Sequence, residues 1–591
     1  MTRAARVVPD VASFSVDDGF WYSIPDHLAG DLEVGSIVRI PLSGRRVRGW
    51  VVGFAEDRPG KLKDIAGISG SQPVFDEPLL QGLTWAAHHY VAPVSTLLSR
   101  ATPPNLPRES PRSIVPSHGA TVVSPLDEVV ARSAAGRTNP VTAVVANWHD
   151  LTFLDALGPI FASGRSVLVV AAAAAEAEFV AGSGRQRWDE LAVAVAGEDD
   201  AGETKAWEAA QVSPRLVIGT PKTAAWRVAD LGLALVVEES RRAMKDRQTP
   251  TLHVRDLIVK RSRIEGFNVV FYGPTPGVEL LASGAEVIQP SNRAWPLVEV
   301  VDRSDEQPGS GYLAAHTVAA IAAMAESGRH VFVFTHRRVG FASTRCTNCR
   351  LLRTCSSCGA RLGRVETCSK CGRETGPCQN CGGVAFEEMG TVPERLVREL
   401  NRRISAETAA VHPAPTPVTV GTERDLAGIG DLGLTVAADV DGMLIGAGYR
   451  VAEEALRQLA RLASALSPGK GSRLILQTSR PDSLLVTTMR RGDPIPYLER
   501  VLVERAREGF PPSAEMIAVE IRGEVPDDAS GSLARLIDHG ATVLGPMPVE
   551  DGQRWLLTGK LGKARLELRS LVGRWRDRGA TVRVDADPID V

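Results

Sequence analysis

Apolar and polar positions change period several times along this chain, and each change predicts an element. Up to about residue 105 the pattern is short and strand-like. Phe20-Trp21-Tyr22, Ser36 to Pro41 and Arg46 to Phe54 have strand composition, punctuated by Gly35, Gly44 and Gly53. Leu79 to Leu98 has the spacing of one helix. From Pro103 to about Pro140 the chain is rich in Pro, Ser and Arg without apolar periodicity, which reads as a linker. Short β-branched runs then alternate with helical stretches. Val167 to Ala171, Arg215 to Gly219, Leu233 to Val237 and Asn268 to Tyr272 make one set. His330 to Phe334, Pro417 to Val420, Thr435 to Asp439 and Arg473 to Gln477 make a second. Such alternation implies two parallel sheets with crossover helices. Residues 516–591 read as β-α-β-β-α-β, the split βαβ pattern. Its strands are Met516 to Ile521, Ala541 to Leu544, Arg554 to Thr558 and Val582 to Asp585; its helices are Gly531 to His539 and Leu561 to Arg578.

One window breaks the second set just after its first strand. All eight cysteines fall there, as four Cys-x-x-Cys pairs: Cys346/Cys349, Cys355/Cys358, Cys368/Cys371 and Cys378/Cys381. One pair aims two sulfurs at one point, and two pairs complete the closed tetrahedral four-thiolate site of structural zinc. The expectation is two zinc ions per chain; four-thiolate iron is the chemical alternative. The gaps between pairs are five, nine and six residues. They favour a nested arrangement. Cys346, Cys349, Cys378 and Cys381 would hold one ion, and Cys355, Cys358, Cys368 and Cys371 the other, with sequential pairing as the alternative. Seven basic residues against two acidic ones between Arg345 and Cys381 balance the negative charge of eight thiolates around two divalent ions. That surplus is therefore poor support for a nucleic-acid surface.

Length suggests roughly three to five domains. Apolar content of 44% and charged content of 23% are ordinary for a soluble globular protein. The start, Met1 to Pro9, lacks a signal-peptide core, and no apolar run reaches a membrane span. These features point to a cytoplasmic protein with no membrane partner. A formal net charge of −2 gives no global pull toward nucleic acid, so any such binding must come from local patches. Phe20, Tyr22 and Trp50 are candidates for stacking on bases, with core filling as the plain alternative. Arg45, Arg46 and Arg48 are candidates for a phosphate track, and the basic stretch Arg241 to Arg263 reads equally as a solvated helix face. Glu238 and Glu239, adjacent at a strand end, point to opposite faces and do not make a shared acid/base pair.

Two consecutive α/β blocks with a four-pair cysteine insertion resemble the PriA (primosomal protein N′) family of bacterial replication-restart helicases. Phe20-Trp21-Tyr22, Gly35 to Pro41 and Lys61-Leu62-Lys63 look like its 3′-end-capturing domain. Ile218-Gly219-Thr220, Val237-Glu238-Glu239, His253-Val254-Arg255-Asp256, His336 to Phe341, Gly421-Thr422-Glu423, Asp439-Val440-Asp441, Leu476-Gln477-Thr478 and Gly509-Phe510-Pro511-Pro512 follow the family's order. So do Leu544-Gly545-Pro546 and Asp585-Ala586-Asp587-Pro588. The resemblance implies a multidomain α/β fold. It would comprise an N-terminal β-rich DNA-binding domain (1–105), a linker (106–140) and two degenerate RecA-like helicase lobes (141–290; 291–344 with 387–495). An inserted double four-cysteine zinc unit (345–386) and a C-terminal ferredoxin-like α+β domain (496–591) complete it. It also implies branched DNA with a 3′ end as ligand, primosome and replicative-helicase-loading proteins as partners, and association with the nucleoid. The expected DNA contacts are Phe20, Trp21, Tyr22, Arg45, Arg46, Arg48 and Lys63.

Departures from the family decide the expected mechanism. A phosphate loop needs Gly-Lys-Ser/Thr after a strand, because its amides wrap phosphates, its Lys neutralises them and its hydroxyl binds magnesium. This chain reads Ala146-Asn147-Trp148-His149-Asp150 there, and no Gly-Lys is followed by Ser or Thr. The family's magnesium-binding Asp is Val237 and its His is Ser240; Ser464 to Pro468 has no arginine where relatives carry their finger. Trp21 stands where relatives have an acidic residue, and 106–140 is too short for the family's winged-helix domain. The reading is a replication-restart factor that neither uses ATP nor unwinds DNA, with no catalytic residues. The alternatives are a DNA-stimulated ATPase or 3′-5′ helicase with a divergent nucleotide site, and a zinc-containing scaffold without DNA binding.

Overall fold

The computed structural model describes residues 3–589, apart from 57–60, 108–113, 115–122, 139–140, 196, 198, 291–294, 306–310, 337–343, 350, 358, 364, 369–370, 389–392, 406–407, 412–415, 427–428, 446–447 and 550. The segment Arg337 to Phe341, with Arg350, Cys358, Arg364 and Lys370, thus lies outside the described residues. The chain divides into two compact units, one of Met1–Ser291, Gly509–Gly545 and Trp555–Pro588, the other of Asn292–Glu508, Pro546–Arg554 and Ile589–Val591. Among the described residues no helix is long and apolar enough to cross a membrane.

The first unit opens with a five-stranded sheet in the order Phe20–Ser23, Ala4–Pro9, Arg45–Ala55, Ile37–Leu42, Gly67–Ser69, all antiparallel. Alternation sends Ala5, Val7, Tyr22, Val38, Ile40 and Val51 into one small core. Gly35 is obligatory: its φ is +92°, and a Cβ would lie 1.9 Å from the Phe75 carbonyl oxygen. The single helix expected over Leu79 to Leu98 is two helices, Glu77–His89 and Val94–Ala101. Pro93 accounts for the break, since it lacks an N–H and disfavours helical backbone in the residue before it.

The first α/β lobe is a seven-stranded parallel sheet. Its order is Glu286–Ile288, Thr142–Val145, Asn268–Gly273, Leu231–Val237, Ser166–Val170, Leu216–Gly219, Ala192–Val195. The four central strands match the apolar runs; the three outer ones are short and carry Ala or Glu, which are depleted in strands. Within the expected linker, Asp127–Ala134 is a helix, and its Val129 and Val130 are buried with Leu126 in this lobe's core.

The C-terminal domain packs into the same unit. Its sheet order is Ala541–Val549, Gly552–Gly559, Glu515–Arg522, Thr581–Ala586, with helices Ala529–Ala534 and Gly562–Asp577 in the connections, a ferredoxin-like α+β arrangement. Its apolar residues share one core with the N-terminal helices and the first lobe. Polar keys pin the three together. Lys245, from the basic stretch, is buried and donates to Asp585 Oδ1 at 2.6 Å, to the Ala586 carbonyl at 2.6 Å and to the Asp587 carbonyl at 2.7 Å. Tyr90 Oη donates to Asp256, and His89 lies 3.5 Å from Asp587. Arg569 donates to Asp17 and to the Ala87 and Ala92 carbonyls. Arg261 is wholly buried, on Glu265 and the Ala224 carbonyl. Lys245 and Arg261 therefore belong neither to a solvated face nor to a binding surface.

His253, in this junction, accepts a hydrogen bond from the Arg255 N–H through Nδ1 and is buried. Burial, aided by the Arg255 charge, pushes its pKa down to about 3. Between that value and the ordinary one near 6.5 the unfolded chain holds the extra proton, so stability rises with pH across this window. This group contributes up to about 1.4 kcal/mol per pH unit. His253→Asn keeps the acceptor and removes the titration. Urea midpoints taken from pH 4 to 7 should rise less steeply for the variant than for the parent; parallel slopes would refute this.

The second unit contains a six-stranded parallel sheet in the order Leu297–Asp302, Arg473–Thr478, Leu432–Ala437, His330–Phe334, Val418–Gly421, Ala409–Val411. The cysteine window leaves it after His330–Phe334. Its two ends pair as a short antiparallel ladder, Thr344–Cys346 with Phe386–Glu388, which makes the insertion a discrete stalked unit.

Candidate metal centres, nucleic-acid interface and strand-end crevice

Each Cys-x-x-Cys turn is built by the same backbone device. The first cysteine's N–H bonds the carbonyl five residues on: Cys346 to Leu351, Cys355 to Ala360, Cys368 to Arg373 and Cys378 to Gly383. Three of the four pairs are followed by glycine, and Gly359, Gly372 and Gly382 take φ of +68° to +71°, closing the turn where a Cβ would be strained. The Cys-x-x-Cys-Gly repeat is a signal in the sequence that the pair spacing alone did not use.

The turns bring Cys346, Cys349, Cys378 and Cys381 together, with their sulfurs all within 4.8 Å of one another, and likewise Cys355, Cys368 and Cys371. Sγ–Sγ distances are 3.4 Å for Cys346–Cys381, 3.5 Å for Cys349–Cys378 and 3.6 Å for Cys355–Cys371. These are far too long for a disulfide and near the roughly 3.8 Å edge of a tetrahedron with 2.3 Å metal–sulfur bonds. The donor set fits a soft four-coordinate ion. Arg353 ties the layers of the insertion: its guanidinium lies 4.2 Å over the Phe386 ring and donates to the Gly363 and Gly376 carbonyls and to Thr375. Arg361 donates to the Ile445 carbonyl. Two of the window's basic residues are thus occupied within the fold.

The N-terminal candidates do not form one surface. Tyr22 is buried and its hydroxyl donates to the Pro41 carbonyl, and Trp50 is buried with its indole N–H on Thr102; both are core residues and unavailable for stacking. Phe20 is 40% exposed on the face it shares with Val7 and Tyr22. Trp21, half-buried, points the other way, toward the side that carries Arg46 and Arg48. Arg45, Arg46, Arg48 and Lys63 are all exposed. The ladder sets Arg39, also exposed, directly opposite Arg48. Like charges so placed repel, which costs stability unless an anion lies across them. Arg39 was not among the expected contacts, because the pairing register that places it beside Arg48 is not a property of local sequence.

At the C-terminal end of the first lobe's sheet, where open α/β sheets bind ligands, the strand Thr142–Val145 leads into Ala146 to Asp150. Trp148 is buried, stacked on His149 at 4.1 Å and edge-on to Phe179 at 6.2 Å. Val237 is buried in the core. Glu238 pairs with Arg241 at 3.6 Å, while Glu239 accepts the Gly277 N–H at 2.8 Å; the adjacent carboxylates have separate partners. In the second lobe Ser464 donates to the Arg461 carbonyl. The nearest arginines on that helix, Arg457 and Arg461, are buried on Glu423.

A β-rich end domain, two parallel α/β lobes, a paired-cysteine insertion and a ferredoxin-like end domain define a multidomain α/β protein. The model of the "3'DNA-binding domain (3'BD)" of PriA matches residues 6–103, and that of the "Primosomal protein N C-terminal domain" matches 506–589. A Mycobacterium bovis protein named "Probable replication restart protein PriA" is 24% identical over 601 residues, 91% of this chain and 90% of its own length. The Treponema pallidum "Replication restart protein PriA" is 24% identical over 600 residues, 90% of each chain. Among solved structures, RecG bound to a three-way DNA junction is similar at 10% identity and a TM-score of 0.37, covering 64% of this chain and 47% of its own. The chain is thus similar to proteins named PriA across about nine-tenths of its length.

Proposed function

We propose that this chain is a replication-restart factor that binds branched DNA presenting a 3′ end, holds two structural zinc ions, and serves primosome assembly without hydrolysing ATP or unwinding DNA. The observation that carries the reading is the end domain. The segment matched by the 3′ DNA-binding model folds as a sheet with Arg39, Arg46 and Arg48 exposed on one face. The named relatives support the replication role. The strand-end crevice supports the absence of turnover, because a buried indole and Val237 occupy the places of cradle and magnesium ligand. The thiolate sets would hold zinc as closed structural sites. In this reading the domain division is 1–105, 106–140, 141–290, 291–344 with 387–495, 345–386 and 496–591, and the site of action is the nucleoid.

Binding should be salt-dependent and stronger on forks with an available 3′ end than on plain duplex. Arg46, Arg48 and Lys63 are exposed, so replacing all three by Ala removes phosphate contacts without opening the core. If each neutralises one phosphate, the slope of log K against log salt flattens by about 2.7. Fluorescence anisotropy on the full chain with synthetic forks measures this. An unchanged slope, or equal affinity for forks and plain duplex, would defeat the end-capture role.

A further inference from the structure

Magnesium and nucleotide, which helicase-fold lobes ordinarily bind, do not fit the strand-end crevice of the first lobe, and the reason extends beyond the missing sequence motifs. Three consecutive strand positions of the sheet converge there. Asn268–Gly273 ends at Gly273, where an added Cβ would sit 3.3 Å from Glu238 Cγ. Leu231–Val237 continues into Glu238, whose φ of +51° begins a tight turn in which the Arg241 N–H bonds the Glu238 carbonyl. Ser166–Val170 leads into the helix Ala174–Trp188, which carries Glu176 in its first turn. Arg241 Nη1 donates to both Glu176 carboxylate oxygens at 2.6 Å and lies 3.6 Å from Glu238 Oε2. Arg241, Glu176 and Glu238 are 5%, 3% and 3% exposed.

We propose that Arg241 is the built-in counter-cation of this crevice, so that the first lobe is occupied by its own guanidinium and binds neither magnesium nor nucleotide there. The argument is one of charge. Two carboxylates out of water at a strand end need a cation within hydrogen-bonding reach. In a nucleotide-using lobe the ion and the phosphate-binding lysine meet the charges of the site. Here an arginine three residues beyond Glu238 reaches back to do so, with the planar donor geometry that grips a carboxylate. Anything seated in the crevice would have to displace a buried ion pair. The inference deepens the reading of a non-hydrolysing factor and rests on it, because it makes the lobe a frame that is complete without ligand.

Two measurements on the full chain test it. In thermal melts without DNA or nucleotide, Arg241→Ala should lower the Tm by roughly 5 °C. The neutral variant Glu176→Gln/Arg241→Met/Glu238→Gln should recover most of that loss, since no charge is then left without a partner. An Arg241→Ala protein that melts like the parent, or a neutral variant as unstable as Arg241→Ala, would overturn the role assigned to Arg241. In the second, a fluorescent ATP analogue with magnesium should show no saturable binding to the parent protein at concentrations up to about 1 mM. Saturable binding without hydrolysis would overturn this inference and leave the non-hydrolysing reading intact, whereas ATP turnover would strike that reading itself.

Discussion

Purified protein will carry about two zinc ions per chain, and Cys355→Ser will release one of them while leaving the other in place. The expectation follows from which sulfurs meet. Cys355 gathers with Cys368 and Cys371, whereas Cys346 gathers with Cys349, Cys378 and Cys381. Cys346→Ser should therefore empty the other site. Sequential pairing would make both substitutions damage the same site, and a stoichiometry of one would remove the assignment. The effect on structure should be large but local. Between its two ends the insertion's described residues bury little apolar surface of their own, a cluster of Cys355, Leu362 and Cys368 with Ala360 and Cys371 against it. So small a core cannot offset the entropy of ordering some forty residues. Binding of a structural zinc is worth about 10–16 kcal/mol in small domains, and here it would supply the folding free energy of the insertion. Strong chelation should unfold residues 345–386 while the parallel sheets, which draw on other cores, persist. Metal analysis of each variant, with hydrogen exchange before and after chelation, reads both effects. Loss of protection throughout the chain on chelation would contradict a discrete insertion.

How much of this was legible in the sequence varies by element for physical reasons. The buried central strands announced themselves: Val167 to Ala171 and Leu233 to Val237 are continuous apolar runs, as strands covered on both faces must be. Thr142–Val145, Ala192–Val195 and Ala409–Val411 did not, because each is short and carries alanine, which is depleted in strands. The grouping of cysteines rested on gap lengths, while the glycines that close three of the turns passed unnoticed. Phe20, Tyr22 and Trp50 are stacking candidates by composition, yet packing across the sheet commits Tyr22 to one core and Trp50 to another. Contacts between residues distant in sequence were out of reach of local pattern. Arg39 meets Arg48 only through register, Glu176 meets Arg241 across 65 residues, and Lys245 meets Asp585 across 340. A lone basic residue in a charged stretch gives no sign of whether it ends in solvent or as a key between domains.

The second large effect concerns ATP. Phosphoryl transfer relies on positioned charge around a loose transition state, and an arginine finger alone is worth about 10³–10⁵ in rate. In the proposed reading the buried Trp148 takes the cradle position, Val237 that of the magnesium ligand, and Ser464 to Pro468 that of the finger; Arg457 and Arg461 are buried on Glu423. On that reading the three differences act on one reaction, so no single replacement should restore turnover. Fork binding and ATP turnover measured together on one preparation of the full chain, with forks carrying a free 3′ end, test the central claim most directly. The account predicts saturable, salt-dependent fork binding with ATP turnover indistinguishable from a protein-free blank. Fork-stimulated turnover that survives rigorous purification and disappears on Glu238→Gln or Glu239→Gln would contradict it.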